Sequence, residues 1–198
     1  MRTTRCISIV ALGAALAGAA PVDAQSVHGP VVELRPFVGG YVPVGAQRDA
    51  LGETLAYGAQ GAVELAPGRT FVATFALARP HDLSDAARRR ARLTMLDIGL
   101  EWDRRTAILG DWELRPLVGA GLGVRGYSIR RESETERDRT RALLGGYGAI
   151  GVELRSGRLA LRTDARGYVS QFSGLAEDAP STVRVDALLS VGVAWHLQ

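Results

Sequence analysis

The chain has 198 residues, 24 glycines and a formal net charge of +3, its 24 basic residues all arginine and set among 21 acidic ones. That charge is too small and too evenly mixed with acid to point to nucleic acid, which asks for a concentrated basic stripe. The single cysteine, Cys6, lies in an N-terminal apolar run, so the chain beyond it can form no disulfide and no thiolate metal site.

In chain order, Arg2 and Arg5 precede an apolar run over 6–20, and Pro21-Val22-Asp23-Ala24 follows with small residues. This is the layout of a secretory signal with cleavage expected after Ala24. The run is shorter than the ~20 apolar residues that a membrane-spanning helix needs. The chain therefore divides into a signal peptide at 1–24, a short lead at 25–30 and one domain over 31–198.

Within that domain, eight segments alternate between an apolar and a polar face, the pattern of a two-faced strand. Residues 31–44 set Val32, Leu34, Val38, Val42 and Val44 against Glu33, Arg35, Phe37, Gly39 and Tyr41. Residues 55–65 oppose Leu55, Tyr57, Val63 and Leu65 to Gly58, Gln60 and Glu64; 70–78 oppose Phe71, Phe75 and Leu77 to Thr70, Val72 and Thr74. In 93–102 the apolar face is Leu96, Ile98, Leu100 and Trp102 and the other carries Asp97, Gly99 and Glu101. The clearest segment is 112–127, with Trp112, Leu114, Val118, Leu122 and Val124 on one side and Glu113, Arg115, glycines, Arg125 and Tyr127 on the other. Three more follow at 143–154, 159–170 and 183–197, whose polar faces hold Tyr147 and Glu153, then Arg162, Asp164, Arg166 and Tyr168, then Arg184, Asp186 and His196. Segment 112–127 exceeds the 9 to 11 residues of a tilted membrane strand, whereas strands of soluble domains stop near 5 or 6.

The connections alternate in length. Ala66-Pro67-Gly68-Arg69 and Arg155-Ser156-Gly157-Arg158 are tight turns, while 45–54, 79–92, 131–141 and 172–182 are longer and polar. All four longer loops thus fall at one end of an up-and-down arrangement and the turns at the other. The connection 103–111 is longer than a turn at that end requires. A faint repeat relates Glu33-Leu34-Arg35-Pro36 to Glu113-Leu114-Arg115-Pro116, and Tyr57-Gly58-Ala59 to Tyr147-Gly148-Ala149.

Soluble barrels turn their apolar faces inward, so the polar faces decide the orientation. Glycines between tyrosines and arginines would be wasted on solvent, but in a narrow lumen they leave room for rings and guanidinium stems. Trp102, Trp112 and Trp195 all lie on apolar faces at the turn end, which predicts one interfacial girdle. The expected fold is all-β: an eight-stranded antiparallel up-and-down transmembrane barrel. Its lumen is expected to hold a charge network of Glu33, Arg35, Glu64, Asp97, Glu101, Glu113, Arg115, Glu153, Arg162, Asp164 and Arg166. Glu64 is expected beside Arg35, and Glu101 or Glu153 beside Arg115, because strands adjacent in sequence pair. Arg88, Arg89 and Arg90 are candidates to meet lipid phosphates from an outward loop.

On these strands and loops the chain resembles the small eight-stranded outer-membrane barrel family, the OmpA/OmpX type, over its whole length after the signal. The resemblance implies the lipid of an outer membrane in a Gram-negative-type envelope as surroundings and the barrel-assembly machinery as a partner. Members usually end in an alternating strand with a terminal aromatic. Here Leu189, Val191, Val193, Trp195 and Leu197 keep the alternation, but Gln198 follows and the aromatic sits earlier. Some such barrels are lipid-modifying hydrolases with a histidine and a serine on the outer rim. Of the histidines, His28 precedes the barrel and His196 faces inward, leaving His81 beside Ser84, Asp82 and Asp85 in ordinary loop composition. No catalytic residue, metal cluster or cofactor is expected. The reading is a monomeric, non-enzymatic barrel with a charge-plugged lumen and a structural or surface-interaction role, its outward loops open to a surface ligand. The alternative is a narrow porin-like channel for ions or small solutes.

Overall fold

The computed structural model describes residues 31–49, 51–81, 83, 91–129, 139–173 and 181–197. The expected signal segment and lead, Ser84, and Arg88, Arg89 and Arg90 lie outside the described residues. The strands are β1 (Val32–Val44), β2 (Thr54–Ala66), β3 (Arg69–Ala78), β4 (Ala91–Asp103), β5 (Ala107–Leu109), β6 (Trp112–Ile129), β7 (Arg139–Ser156), β8 (Leu159–Ser173) and β9 (Ser181–Leu197). Each pairs antiparallel with its neighbour, and a β4–β6 pairing closes the sheet into a barrel of eight strands. The ninth strand, β5, is an appendage on the turn end of β6.

The register specifies the barrel's shape. From Val42 the paired residues run Ala187, Gly167, Gly148, Ala120, Leu100, Phe71 and Val63, and return to β1 at Val32, ten residues away. Eight strands with a shear of ten give a tilt of about 40° and a backbone radius of about 8 Å. That bore is wide enough for side chains and no wider.

The alternation in sequence becomes an alternation in exposure. Outward positions such as Leu122, Ile150 and Val191 are 59%, 65% and 46% exposed, while their neighbours in the chain face a packed interior. Among the described side chains, the outward positions of the barrel strands carry charge only at Arg69 and Arg92, each at one end of its strand. The tight turns reverse at Gly68 and Gly157, with φ of 72° and 57°, a left-handed conformation that other residues adopt only with strain.

Two connections differ from expectation. The long connection after β4 extends the wall: β5 pairs with the first residues of β6, Leu109 opposite Trp112, to form a hairpin below the barrel. In the first of the longer loops, a 3-10 helix, Gly45–Asp49, folds back over the mouth and buries Gln47 and Leu51. Its return is anchored where the Leu51 N–H donates to the Gln47 carbonyl and the Gly52 N–H to the His81 carbonyl, both at 2.9 Å.

Candidate functional site

Among the described residues, the lumen is where this fold gathers its buried charged groups, and they lie in layers. At the turn end, residues two apart on one strand share a face and form ion pairs along the wall: Glu33 with Arg35, Glu153 with Arg155 at 3.0 Å, Arg162 with Asp164 at 3.0 Å, and Asp164 with Arg166 at 3.2 Å. Longer reaches cross the bore. Arg35 on β1 meets Glu101 on β4 at 2.9 Å, Arg162 on β8 meets the same carboxylate at 2.7 Å, and Arg155 on β7 meets Glu33 on β1 at 2.9 Å. None of these three pairs joins neighbouring strands.

The expected partners therefore need correction. Arg35 bonds Glu33 and Glu101, with Glu64 outside that cluster, and Arg115 pairs with Asp103 at 2.5 Å, not with Glu101 or Glu153. At a radius of about 8 Å, an extended arginine carries its guanidinium close to the axis, where carboxylates from the opposite wall compete with those of the adjacent strand. Glu113, expected in the network, is set at the rim and pairs with half-exposed Arg105 at 3.1 Å. Glu33, Arg35, Glu101, Glu153, Arg162, Asp164 and Arg166 do come together and are buried.

Midway up the bore, Arg125 on β6 pairs with Asp97 on β4 at 2.5 Å and lies 3.8 Å from the Tyr168 ring centroid, a stacked and paired cation. The Tyr168 hydroxyl donates to the other oxygen of Asp97 at 3.3 Å, and the Tyr147 and Tyr168 rings stand 5.8 Å apart. These groups fit only because the wall beside them is glycine. A Cβ on Gly123 would strike the Asp97 carboxylate, and one on Gly121 would come within 2.6 Å of the Tyr147 ring.

Toward the loop end the filling turns apolar, with Leu93, Met95 and Leu188 buried beside Tyr41 and Tyr127. Gln47 caps this layer, its amide donating to the Tyr41 hydroxyl at 3.0 Å and the Tyr127 hydroxyl at 3.3 Å, while Tyr127 donates to Asp186 at 3.5 Å. The sequence reading did not single out Arg125, Asp103, Asp186 or Gln47 for this site. Parity already put Arg125 and Asp186 on lumen faces, whereas Asp103 was read as the start of a connection and nothing in a polar loop marks Gln47. His196, which parity turned inward, has Nε2 2.6 Å from Glu33 and Nδ1 3.0 Å from the Arg158 carbonyl.

With a shear of ten, Trp102 and Trp195 stand within about 3 Å of one height, and Trp112 roughly 10 Å further toward the turn end. The three do not form a single ring. Among the described residues, no cluster of His, Cys, Asp and Glu is placed to hold a metal ion.

No family model and no curated protein matches the sequence. Solved structures match its shape. Neisserial surface protein A superposes with a TM-score of 0.61 at 13% identity, over 85% of this chain and 99% of that one. The fold is that of the small outer-membrane barrels. OprG from Pseudomonas aeruginosa matches at a TM-score of 0.54 and 11% identity, over 86% of this chain and 96% of that one. The N-terminal barrel domain of Pseudomonas aeruginosa OprF matches at 0.53 and 17%, over 84% and 97%. The expected class and topology, an eight-stranded antiparallel barrel of this type, are those observed.

Proposed function

We propose that this chain is a non-enzymatic barrel of the outer membrane, with a closed lumen and a structural or surface-interaction role. The observation that carries the reading is the filling of the bore. Charges crossed from wall to wall at the turn end, a tyrosine-arginine layer midway and the Gln47 cap occupy the bore at three heights. The outward face supports the membrane setting: between Arg69 and Arg92 it offers lipid only uncharged side chains, as a barrel in hydrocarbon requires.

The second reading, a narrow channel for ions or small solutes, draws on one observation. Gln60 Oε1 and the Tyr147 hydroxyl are buried without a protein hydrogen-bond partner, and internal water would satisfy them. Planar-bilayer recording of the purified, refolded protein separates the two. A closed barrel gives no unitary current in molar salt; reproducible single-channel steps would replace the first reading with the second.

A further inference from the structure

Below the height of Trp102 and Trp195, one sector of the wall continues as the β5–β6 hairpin. Its residues pair as Ala107 with Leu114, Ile108 with Glu113 and Leu109 with Trp112. The Thr106 N–H donates to the Leu114 carbonyl at 2.9 Å and the Arg104 N–H to the Pro116 carbonyl at 3.2 Å, so the hairpin is a stiff extension of the sheet. Strand parity carries the outward face straight down it, through Val118, Pro116 and Leu114 to Trp112 and Leu109. Leu109 is 59% exposed, Trp112 44%, and Ile108 at the tip 65%. Such a tip is a poor surface to hold in water.

Cations flank it. The Asp103 N–H donates to the Gly68 carbonyl at 3.1 Å, which ties the β2–β3 turn to the root of the hairpin; Arg69, opposite Trp102, and Arg104 and Arg105, which follow Asp103, are all exposed. Arg105 spends one nitrogen on Glu113 at 3.1 Å, and a guanidinium carries five donors. An indole and a leucine continuous with the lipid-facing band, with three guanidinium groups nearer the hairpin's root, match the headgroup layer of a bilayer, where indoles lie at the interface and guanidinium groups find phosphates.

We propose that the β5–β6 hairpin is a foot set into the headgroup layer of the leaflet at the turn end, with Trp112 and Leu109 inserted and Arg69, Arg104 and Arg105 bonding lipid phosphates. The inference rests on the membrane reading above. It also accounts for the length of a connection that a simple turn would have closed.

The test uses single-tryptophan forms of the full barrel, Trp112 alone (W102F/W195F) and Trp195 alone (W102F/W112F), in vesicles of equal phosphatidylcholine and phosphatidylglycerol. Acyl chains brominated near the carbonyl should quench Trp112 about twofold more than chains brominated near the methyl end. Dansyl-phosphatidylglycerol should quench it about twofold more than dansyl-phosphatidylcholine, and R104Q/R105Q should erase that difference. A hydrated, unquenched Trp112 beside a quenched Trp195 overturns the foot and leaves the membrane reading standing. If both tryptophans are hydrated, the membrane reading itself fails. Equal quenching of Trp112 by the two dansyl lipids overturns the phosphate contacts.

Discussion

Glu101 accepts ion pairs from Arg35 and Arg162 across the bore and has Arg166 3.6 Å away, all in a setting 2% exposed to solvent. Taking away that carboxylate leaves three buried arginines sharing only Glu33 and Asp164 as their close partners, in a space too narrow to hydrate the excess charge well. Glu101→Gln is therefore expected to cost about 3 to 5 kcal/mol in urea unfolding from detergent micelles, the range for breaking a buried pair. Arg105→Ala, which breaks a half-exposed pair at the rim, should cost no more than about 1 kcal/mol. Equal losses in the two variants would mean that the lumen is as wet as the rim. The glycines make a second contrast at the same scale. Gly123→Val drives a side chain into Asp97 and should abolish the folded band on unheated gels. Gly61→Val, where a Cβ meets nothing within 4 Å, should keep that band.

At the scale of the strand, the outward face of β7 offers a direct check on orientation. Ile150→Arg puts a cation where the apolar band is continuous, and it should destabilise the barrel by about 2 to 4 kcal/mol in bilayers. The inward half of the same strand already holds Arg155 at no such penalty, because Glu33 and Glu153 surround it. Unchanged bilayer stability of Ile150→Arg would place the apolar face somewhere other than lipid. The strands themselves were legible because a period of two is written in every one of them, and parity alone assigns Glu101, Arg125 and Asp186 to the lumen. What parity omits is depth and reach. Which wall Arg35 bonds depends on the bore, and the height of Trp112 depends on the shear; both are properties of the closed sheet that no single strand contains. The hairpin at Ala107–Leu109 escaped for another reason, since three residues are too few to display a period. Gln47 escaped because a loop glutamine reads the same whether it caps a barrel or faces water.

For the molecule as a whole, the question is whether closure comes from the cap or from the crossed charges. The cap is one short helix held by Gln47 on two tyrosine hydroxyls, a pair of bonds worth about 1 kcal/mol each. The crossed pairs hold more atoms in the bore and are tied to four strands, β1, β4, β7 and β8, so they form the tighter barrier. Gln47→Ala should therefore leave the barrel electrically silent in planar bilayers. A charge-neutral double change, Glu101→Ala with Arg162→Ala, removes the central cross-link without stranding that pair's charge, which limits the loss of stability relative to either single change. Arg35, freed on one side, keeps its bond to Glu33 on its own strand. Adding Gln47→Ala to this double variant should then give small single-channel currents, with the remaining Arg35, Arg155 and Arg166 setting the preference between anions and cations. Currents from Gln47→Ala alone would transfer the barrier to the cap. A folded triple variant that stays silent would assign closure to the Tyr147–Tyr168–Arg125 layer, which none of these substitutions touches.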